Sequence, residues 1–419
     1  MLTPDYLLRI SEGAEDIAEQ LHQEIVSRII ERIMLRIGRG DDYILTAQDK
    51  WQLEVLSDAG YLLEDIRKEI ASKTKLQQTE IKAAMEEAGV TALQYDDAIY
   101  KAAGLSPVAL EQSPYLIRLM QRNYEATLGE WTNFTRTTAD VSQQAFIKAM
   151  DKAYNLTASG AVSYTQAVRE AVNDIASSGV EVVYPSGHKD TIETATLRAV
   201  RTGISQATAQ IQIARMKEMG VGLALTSSHM GARPTHEIWQ GQVFSIDWHK
   251  MNEIYPLPEI PTPENNTNMM AKYPDFVDVT RIGKVDGLCG ANCRHSFSVF
   301  YEGQENPFEQ YDSEESRKAY ELQQRQRTLE RRIRKTKREV MGLKTAVDNA
   351  QDEKLKFELD QDYQRKTALL QKQNNAYNDF CEQNNLKRLS DRIAIAKWDR
   401  QQAAAARGAA TRYNNAKGK

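Results

Sequence analysis

Ser228-His229-Met230-Gly231-Ala232-Arg233-Pro234-Thr235-His236-Glu237-Ile238-Trp239-Gln240-Gly241 and, about fifty residues on, Gly287-Leu288-Cys289-Gly290-Ala291-Asn292-Cys293-Arg294-His295 are the two stretches on which the reading of this chain turns. They hold His229, His236 and His295 of the six histidines, and two of the three cysteines. Such clustering, in a chain otherwise poor in both residue types, marks either a chemical site or a rigid structural knot. Glycines 231, 241, 283, 287 and 290 do not sit between one strand and one helix, so they read as tight turns between short strands rather than as a phosphate cradle. Trp239 and Phe244 read as core.

Working outward, three β-rich runs flank the motifs: 223–226, 242–246 and 296–301. A helix over 163–176, a short strand over 180–184, the turn Pro185-Ser186-Gly187 and a long helix over 191–218 precede them, so residues 161–305 are expected to form a small α+β domain. The Pro- and Asn-rich stretch 255–274 reads as a loop. On the N-terminal side, Leu7, Ile10, Ala14, Ile17, Leu21, Ile25, Ile29, Ile33 and Ile37 recur at helical spacing and predict one amphipathic helix ended by Gly38 and Gly40. Thr46 and Asp49 resemble a capping box for a helix reaching toward Ser72. Further patterns at 75–87, 91–103, 114–131 and 142–155 make residues 1–160 a helical domain. On the C-terminal side, Leu329, Ile333, Val340, Leu343, Val347, Ala350 and Phe357 fit a/d positions of a heptad, with Thr336 the polar exception. Residues 306–419 therefore read as a long-helix segment, a coiled coil or a helical hairpin, ending in a frayed basic tail. The fold class expected is mainly α.

Composition narrows the function classes. At 419 residues the chain has room for two or three domains. With 27% charged residues and a mean hydropathy of −0.58, much exposed helix is expected. A formal net charge of −4 implies no whole-chain attraction to a polyanion or a membrane. The first residues show no basic-then-apolar leader, and no apolar run approaches the ~20 residues needed to span a bilayer. Three cysteines, two beside histidine, suggest reduced thiols rather than a disulfide framework, so a protein made soluble inside a cell is expected.

Three chemical readings of the motifs compete. Thiolate and imidazole are ligands that zinc prefers, which makes His229, His236, Cys289 and Cys293 candidate ligands with His295 in reserve. The spacings Cys-x3-Cys and His-x6-His are not those of a common finger or ribbon, however. In the structural alternative the cysteines are small buried groups, and the His and Arg side chains cap strand ends and loop carbonyls. An enzyme reading uses Arg233, His236, Glu237, Arg294 and His295 as an acid/base and anion-binding set of a hydrolase or nuclease. His236-Glu237 begins a zincin-like His-Glu-x-x-His, but Gln240 stands where the second histidine belongs. No Gly-rich phosphate loop, nucleophile elbow or paired Asp cluster accompanies it. The expectation is a non-enzymatic protein with no cofactor, zinc being the alternative.

A second feature is basic. Residues 325–338 carry Arg325, Arg327, Arg331, Arg332, Arg334, Lys335, Lys337 and Arg338, and residues 386–419 hold nine Lys or Arg against two Asp, a local net of +7. Charge runs are usually solvated helix faces. As phosphate contacts, Arg331, Arg332, Arg334, Lys335, Lys337, Arg338, Arg407 and Arg412 would give salt-dependent, sequence-independent affinity for nucleic acid. Trp398 and Tyr413 are the only aromatics of the basic tail, so base stacking is not indicated.

Several ordered motifs together resemble the phage minor capsid protein 2 family: Tyr184-Pro185-Ser186-Gly187, Arg198, Arg201-Thr202-Gly203, the stretch from Ser228 to His236, Trp239-Gln240-Gly241, Gly287-Leu288, Gly290-Ala291-Asn292-Cys293-Arg294-His295 and the later run 327–335. The resemblance is strongest over 184–308. That family is distantly similar to Mu-type head morphogenesis proteins, which share an Arg-x-x-His followed by Gly and, later, a Pro/Ala-Asn-Cys-Arg-Cys/His. Arg233, His236, Gly241, Asn292, Cys293 and Arg294 occupy those places, and His295 stands where many such relatives carry a second Cys. The resemblance implies a minor structural protein of a tailed-phage head, made in the bacterial cytoplasm and carried in the virion. It further implies association with the portal protein, contact with major capsid or scaffold protein, a role in assembly or in DNA packaging or ejection, non-specific contact with packaged DNA, and no membrane partner. A head-carried hydrolase and an internal scaffold lost at maturation are the alternatives.

Overall fold

The computed structural model describes residues 1–419 except Val180, Pro185, Glu309, Gln310, Gly418 and Lys419. In chain order the described residues form α1 (Pro4–Arg9), α2 (Glu12–Ile37), α3 (Gln48–Ala102), α4 (Pro114–Ala158), α5 (Tyr164–Ser178), β1 (Glu181–Val183), β2 (Lys189–Thr191), α6 (Ile192–Met219), β3 (Leu223–Thr226), α7 (Pro234–Glu237), β4 (Val243–Ser245), α8 (Trp248–Ile254), α9 (Thr267–Lys272), α10 (Phe276–Thr280), β5 (Phe297–Val299), α11 (Ser313–Asn349), α12 (Glu353–Gln383) and α13 (Arg400–Lys417). The fold is mainly α, with short strands. No helix among the described residues is long and apolar enough to cross a membrane.

Two compact units divide the chain: Met1–Glu15, Leu76–Thr132 and Thr196–Gln323 form the first, and Asp16–Lys75, Asn133–Ala195 and Gln324–Lys419 the second. They interleave along the sequence because α2, α3, α4, α6 and α11 each contribute residues to both. The residue pattern suggests three consecutive segments instead, since periodicity reports helices but not which of them pack together.

The first unit is built on an antiparallel sheet of order β4-β3-β5. Leu223 pairs with Ser245 and Leu225 with Val243 on one side of β3, while Ala224 faces Val299 and Thr226 faces Phe297 on the other. Alternation along these strands covers both faces. Ala224, Phe244, Phe297 and Val299 join Ile211, Ile213, Met216, Trp248 and Phe276 in one core, whereas Leu223, Leu225 and Phe300 pack with Val243, Met269 and Tyr273. A third cluster joins Leu2 and Leu7 to Ile81, Met85, Val200 and Ile204. The helix patterns at 46–72, 75–87 and 91–103 merge into α3 although Gly89 punctuates the sequence. A Cβ on Gly89 would lie 2.9 Å from Met120 Cε, so glycine here serves close packing rather than termination. The stretch 255–274 holds α9, capped by Asn266, whose Oδ1 accepts the Met269 N–H at 3.2 Å.

The second unit is helical apart from the antiparallel pair β1–β2. Of the strand and turn expected over 180–187, Val180 and Pro185 lie outside the described residues. The N-terminal helix breaks between α1 and α2 rather than running unbroken to Ile37. Within α4, Thr137 donates its hydroxyl to Asn133 O at 3.1 Å, which satisfies the polar side chain locally and lets the helix run through a Thr-rich stretch. Within this unit, α11 and α12 form an antiparallel hairpin whose rungs are Gln326–Tyr377 at 3.4 Å, Tyr377–Glu330 at 3.1 Å and Lys366–Glu339 at 2.6 Å. Ile333, Val340, Leu343, Val347 and Ala350 are buried as the heptad predicts, and so is Thr336. Phe357 breaks the pattern at 64% exposure, because the chain has already turned into α12. The expected frayed tail is instead α13. Its Ala406, Ala409 and Ala410 are buried, and Asn414 donates to Gln371 Oε1 on α12 at 3.2 Å; small side chains allow the two helices to approach closely.

Candidate functional site

Both sequence motifs meet in the first unit, at the ends of β3 and β5. Ser227 and Ser296 continue the pairing beyond those strands: the Ser227 N–H donates to Ser296 O at 2.8 Å, and the Ser296 N–H to Ser227 Oγ at 3.0 Å. Arg233 is the residue before α7, where Pro234 fits the first helical position because it has no N–H to leave unsatisfied. The second motif is a chain of tight turns. Cys289 and Asn292 adopt positive φ, 58° and 57°. A Cβ on Gly287 would lie 1.9 Å from Arg281 O and one on Gly290 2.4 Å from Val285 O, so glycine is the residue that fits both positions.

The two arginines latch the motifs reciprocally. Arg233 of the first donates to Ala291 O of the second at 3.3 Å, and Arg294 of the second donates to Gly231 O of the first at 3.3 Å and to Gln323 Oε1 at 3.3 Å. Gly231 also donates its N–H to Ser316 Oγ at 3.2 Å. Guanidinium groups engaged in this way cap loop carbonyls, as the structural reading expects.

Between the loops lie His236, Cys293 and His295, all buried, with ligand-type atoms within 4.8 Å of one another. Cys293 Sγ is 3.9 Å from His236 Nδ1 and 3.8 Å from His295 Nδ1, and it also lies 3.9 Å from His295 O. The tautomers follow from the far side of each ring. His236 Nε2 is 2.9 Å from Asp286 O, which can only accept, so Nε2 carries the proton. His295 Nε2 is 3.3 Å from Gln240 Oε1, an atom that already accepts the His229 N–H at 3.1 Å, so here too the ring nitrogen donates. Both Nδ1 lone pairs therefore point at the thiol. Trp239 packs against both imidazoles, with centroids 4.8 Å from His236 and 4.7 Å from His295, and His229 stacks on His295 at 4.3 Å.

Burial sets the protonation states. It lowers the His236 pKa, which the neighbouring Arg233 charge lowers further, and holds His295 well below the ordinary imidazole value, with the His229, His236 and arginine charges adding to the effect. Burial raises the Cys293 thiol and raises Cys289 well above its ordinary value.

The structure thus brings together His236, Cys293 and His295, with Arg233, Arg294 and Trp239 around them. His229 touches the cluster by stacking, and Gly241 and the exposed Asn292 serve its turns. The four-residue set His229, His236, Cys289 and Cys293 is not the group that converges. Both cysteines are buried in the core, but the group that converges has Cys293 and not Cys289, with His295 in place of His229. Gln240 and the Asp286 carbonyl, which orient the imidazoles, are the functional partners that residue types alone did not reveal; the Gln at the fifth position of the zincin-like run was the available hint.

The basic candidates separate by burial. Arg331, Arg332, Lys335, Arg407 and Arg412 are exposed and Arg334 half-buried. Two others face inward and are not phosphate contacts. Lys337 donates to Ile393 O at 2.5 Å and lies over the Trp398 ring, its pKa lowered by burial to about 8. Arg338 sits between Glu19 and Glu193, 3.0 Å from the first and 2.5 Å from the second, while His22 Nδ1 lies 2.8 Å from Glu193. This ion cluster in the second unit was not visible as a group in the sequence, because Glu193 and Arg338 lie more than a hundred residues from Glu19 and His22 and from each other.

The family described as phage minor capsid protein 2 matches residues 2–381. The chain belongs to that family, and it is a structural protein of a bacteriophage capsid. A relative named simply a structural protein, from Lactococcus phage LL-H, is 27% identical over 175 residues, 41% of this chain and 43% of the relative. The chain thus matches less than half the length of that relative. No solved structure matches it.

Proposed function

We infer that the protein is a minor component of the tailed-phage head that docks on the portal vertex through helical surface in its N-terminal part, without enzymatic activity. The observation that carries this reading is an exposed apolar face on α3 within the second unit: Leu53 is 71% exposed, Leu56, one turn on, 58%, and Tyr61 59%, with Leu45 exposed just before the helix. Large apolar side chains grouped in this way mark a surface that a partner covers. Family membership supplies the class of partner, another component of the head. The motif cluster serves as a rigid core of the first unit, its arginines engaged on backbone carbonyls rather than turned toward a substrate. The exposed basic residues Arg331, Arg332, Lys335, Arg407 and Arg412 suit non-specific contact with packaged DNA.

The test is co-expression with the portal protein of the same phage and capture of the portal oligomer. Retention of the full chain, lost in a Leu53→Glu, Leu56→Glu double variant that still folds, is the expected result. A portal oligomer that never retains the chain sinks the reading. Quantitative mass spectrometry of mature virions and empty proheads separates the alternatives. Low copy number in mature particles is expected, and presence in proheads alone would instead mean a scaffold lost at maturation.

A further inference from the structure

The geometry points to a zinc ion held by Cys293 Sγ, His236 Nδ1 and His295 Nδ1, with solvent as the fourth ligand. Zn–S of about 2.3 Å and Zn–N of about 2.0 Å at a tetrahedral angle place sulfur and nitrogen about 3.6 Å apart. The two S···N separations here are 3.9 and 3.8 Å, so an adjustment of a few tenths of an ångström brings each imidazole nitrogen to its ligand distance from the sulfur. The three donor atoms already converge within 4.8 Å of one another.

The outer contacts are those a metal centre needs. A ligating imidazole typically donates its distal N–H to a carbonyl or carboxylate, which fixes the ring and leaves the other nitrogen's lone pair for the metal. His236 does so to Asp286 O and His295 to Gln240 Oε1. Gln240 is itself held by the His229 backbone N–H. The His295 backbone N–H lies 3.4 Å from Cys293 Sγ, placed to donate to a thiolate. Without a metal the same cluster is mismatched: two lone pairs and the His295 carbonyl compete for the single proton of one thiol. Zinc resolves this, because the thiol releases its proton to solvent and all three donors bind one cation. Soft sulfur with two imidazoles favours zinc over magnesium or calcium, which take oxygen ligands. Cys289 is not among the residues whose donor atoms converge, so it is not a ligand in this arrangement. The ion would staple α7 to the turns before β5, two segments that the Arg233 and Arg294 latches also join. The inference does not depend on docking to the portal.

The experiment uses the full chain purified without chelator. Elemental analysis should find about one zinc per chain. The chain stripped of zinc and titrated with Co2+ should develop the sulfur-to-cobalt charge-transfer band of a single thiolate together with tetrahedral d–d absorption. Cys293→Ser should abolish the charge-transfer band, while Cys289→Ala keeps it. Gln240→Leu, which spares every ligand, should weaken Zn2+ binding by about 10–100-fold. The proposal is overturned if native chain, folded by circular dichroism, contains no zinc and shows no spectral change with Co2+. It is equally overturned if Cys289→Ala rather than Cys293→Ser removes the band, or if Gln240→Leu binds Zn2+ as tightly as the native chain.

Discussion

Replacing Arg338 by Met keeps most of the side-chain volume and removes the charge between two carboxylates. Glu193 is buried and Glu19 nearly so, and Arg338 contacts both. In the variant Glu193 retains His22 at 2.8 Å and Glu19 retains the Gln23 amide at 3.3 Å, while the two acids lose the cation they share. Removing one partner of a buried ion pair costs about 3–5 kcal/mol, because the remaining charge stays desolvated. The surviving His22 contact places this case at the lower end, about 3 kcal/mol. At about 1.4 kcal/mol per factor of ten, amide protection in the second unit should fall by roughly 150-fold. Hydrogen exchange read by mass spectrometry on peptides from residues 324–349 of the full chain measures it directly. Arg331→Met, at an exposed position of the same helix, should change protection by less than about threefold, a surface-scale effect within ~0.5 kcal/mol. The cluster also sets a pH dependence. Burial alone would raise the Glu193 pKa, but the His22 and Arg338 charges outweigh it and hold the carboxyl well below its ordinary value. A depressed folded-state pKa contributes stability that is fully present above the unfolded value, near 4.5, and is lost as the pH falls below it. Arg338→Met should therefore lose less protection between pH 5 and pH 3 than the native chain, as a shallower acid limb. Equal protection in Arg338→Met and Arg331→Met would refute the reasoning.

Three further outcomes are expected. Trp239→Ala removes a buried ring packed on both His236 and His295 and should destabilise the first unit by about 3–5 kcal/mol, read as lost amide protection across residues 223–245. Gly287→Ala drives a Cβ into Arg281 O, a backbone atom that cannot rotate away, and should cost about 3 kcal/mol or more; soluble yield and protection of 281–295 report it. If the basic face of α11 meets DNA, Arg331→Ala with Arg332→Ala should lower affinity in a filter-binding titration and reduce the log–log salt slope by about 0.9 per lost phosphate contact. Lys337→Ala should leave that slope unchanged, because its ammonium is spent on Ile393 O.

Much of the local architecture was legible from residue order. The helix expected over 163–176 is α5, Tyr164–Ser178, and Ser163 caps it, its Oγ accepting the Gln166 N–H at 3.3 Å. The strands β3, β4 and β5 fall within the β-rich runs that flank the motifs. Boundaries failed where a local signal had a tertiary meaning. Gly89 reads as punctuation but lies inside α3 against Met120, and the Ala- and Gly-rich end reads as frayed but packs as α13 on α12.

At the site, residue chemistry and motif order were enough to mark His236, Cys293 and His295 as belonging to one neighbourhood and to show the family resemblance. Choosing among Cys289, Cys293 and the three histidines was beyond them. Cys289 and Cys293 are four residues apart, chemically alike and buried in the same core, yet after turns with positive φ at 289 and 292 only the Cys293 thiol joins the imidazoles. Arg331 and Arg338, two arginines of one basic run, part in the same way: the first is exposed and the second is held between Glu19 and Glu193, acids that lie far away along the chain. Periodicity and capping act over a few residues and are written into their order. Burial and the partners of a charge arise between residues tens to hundreds of positions apart, so they come into being only when the chain has folded.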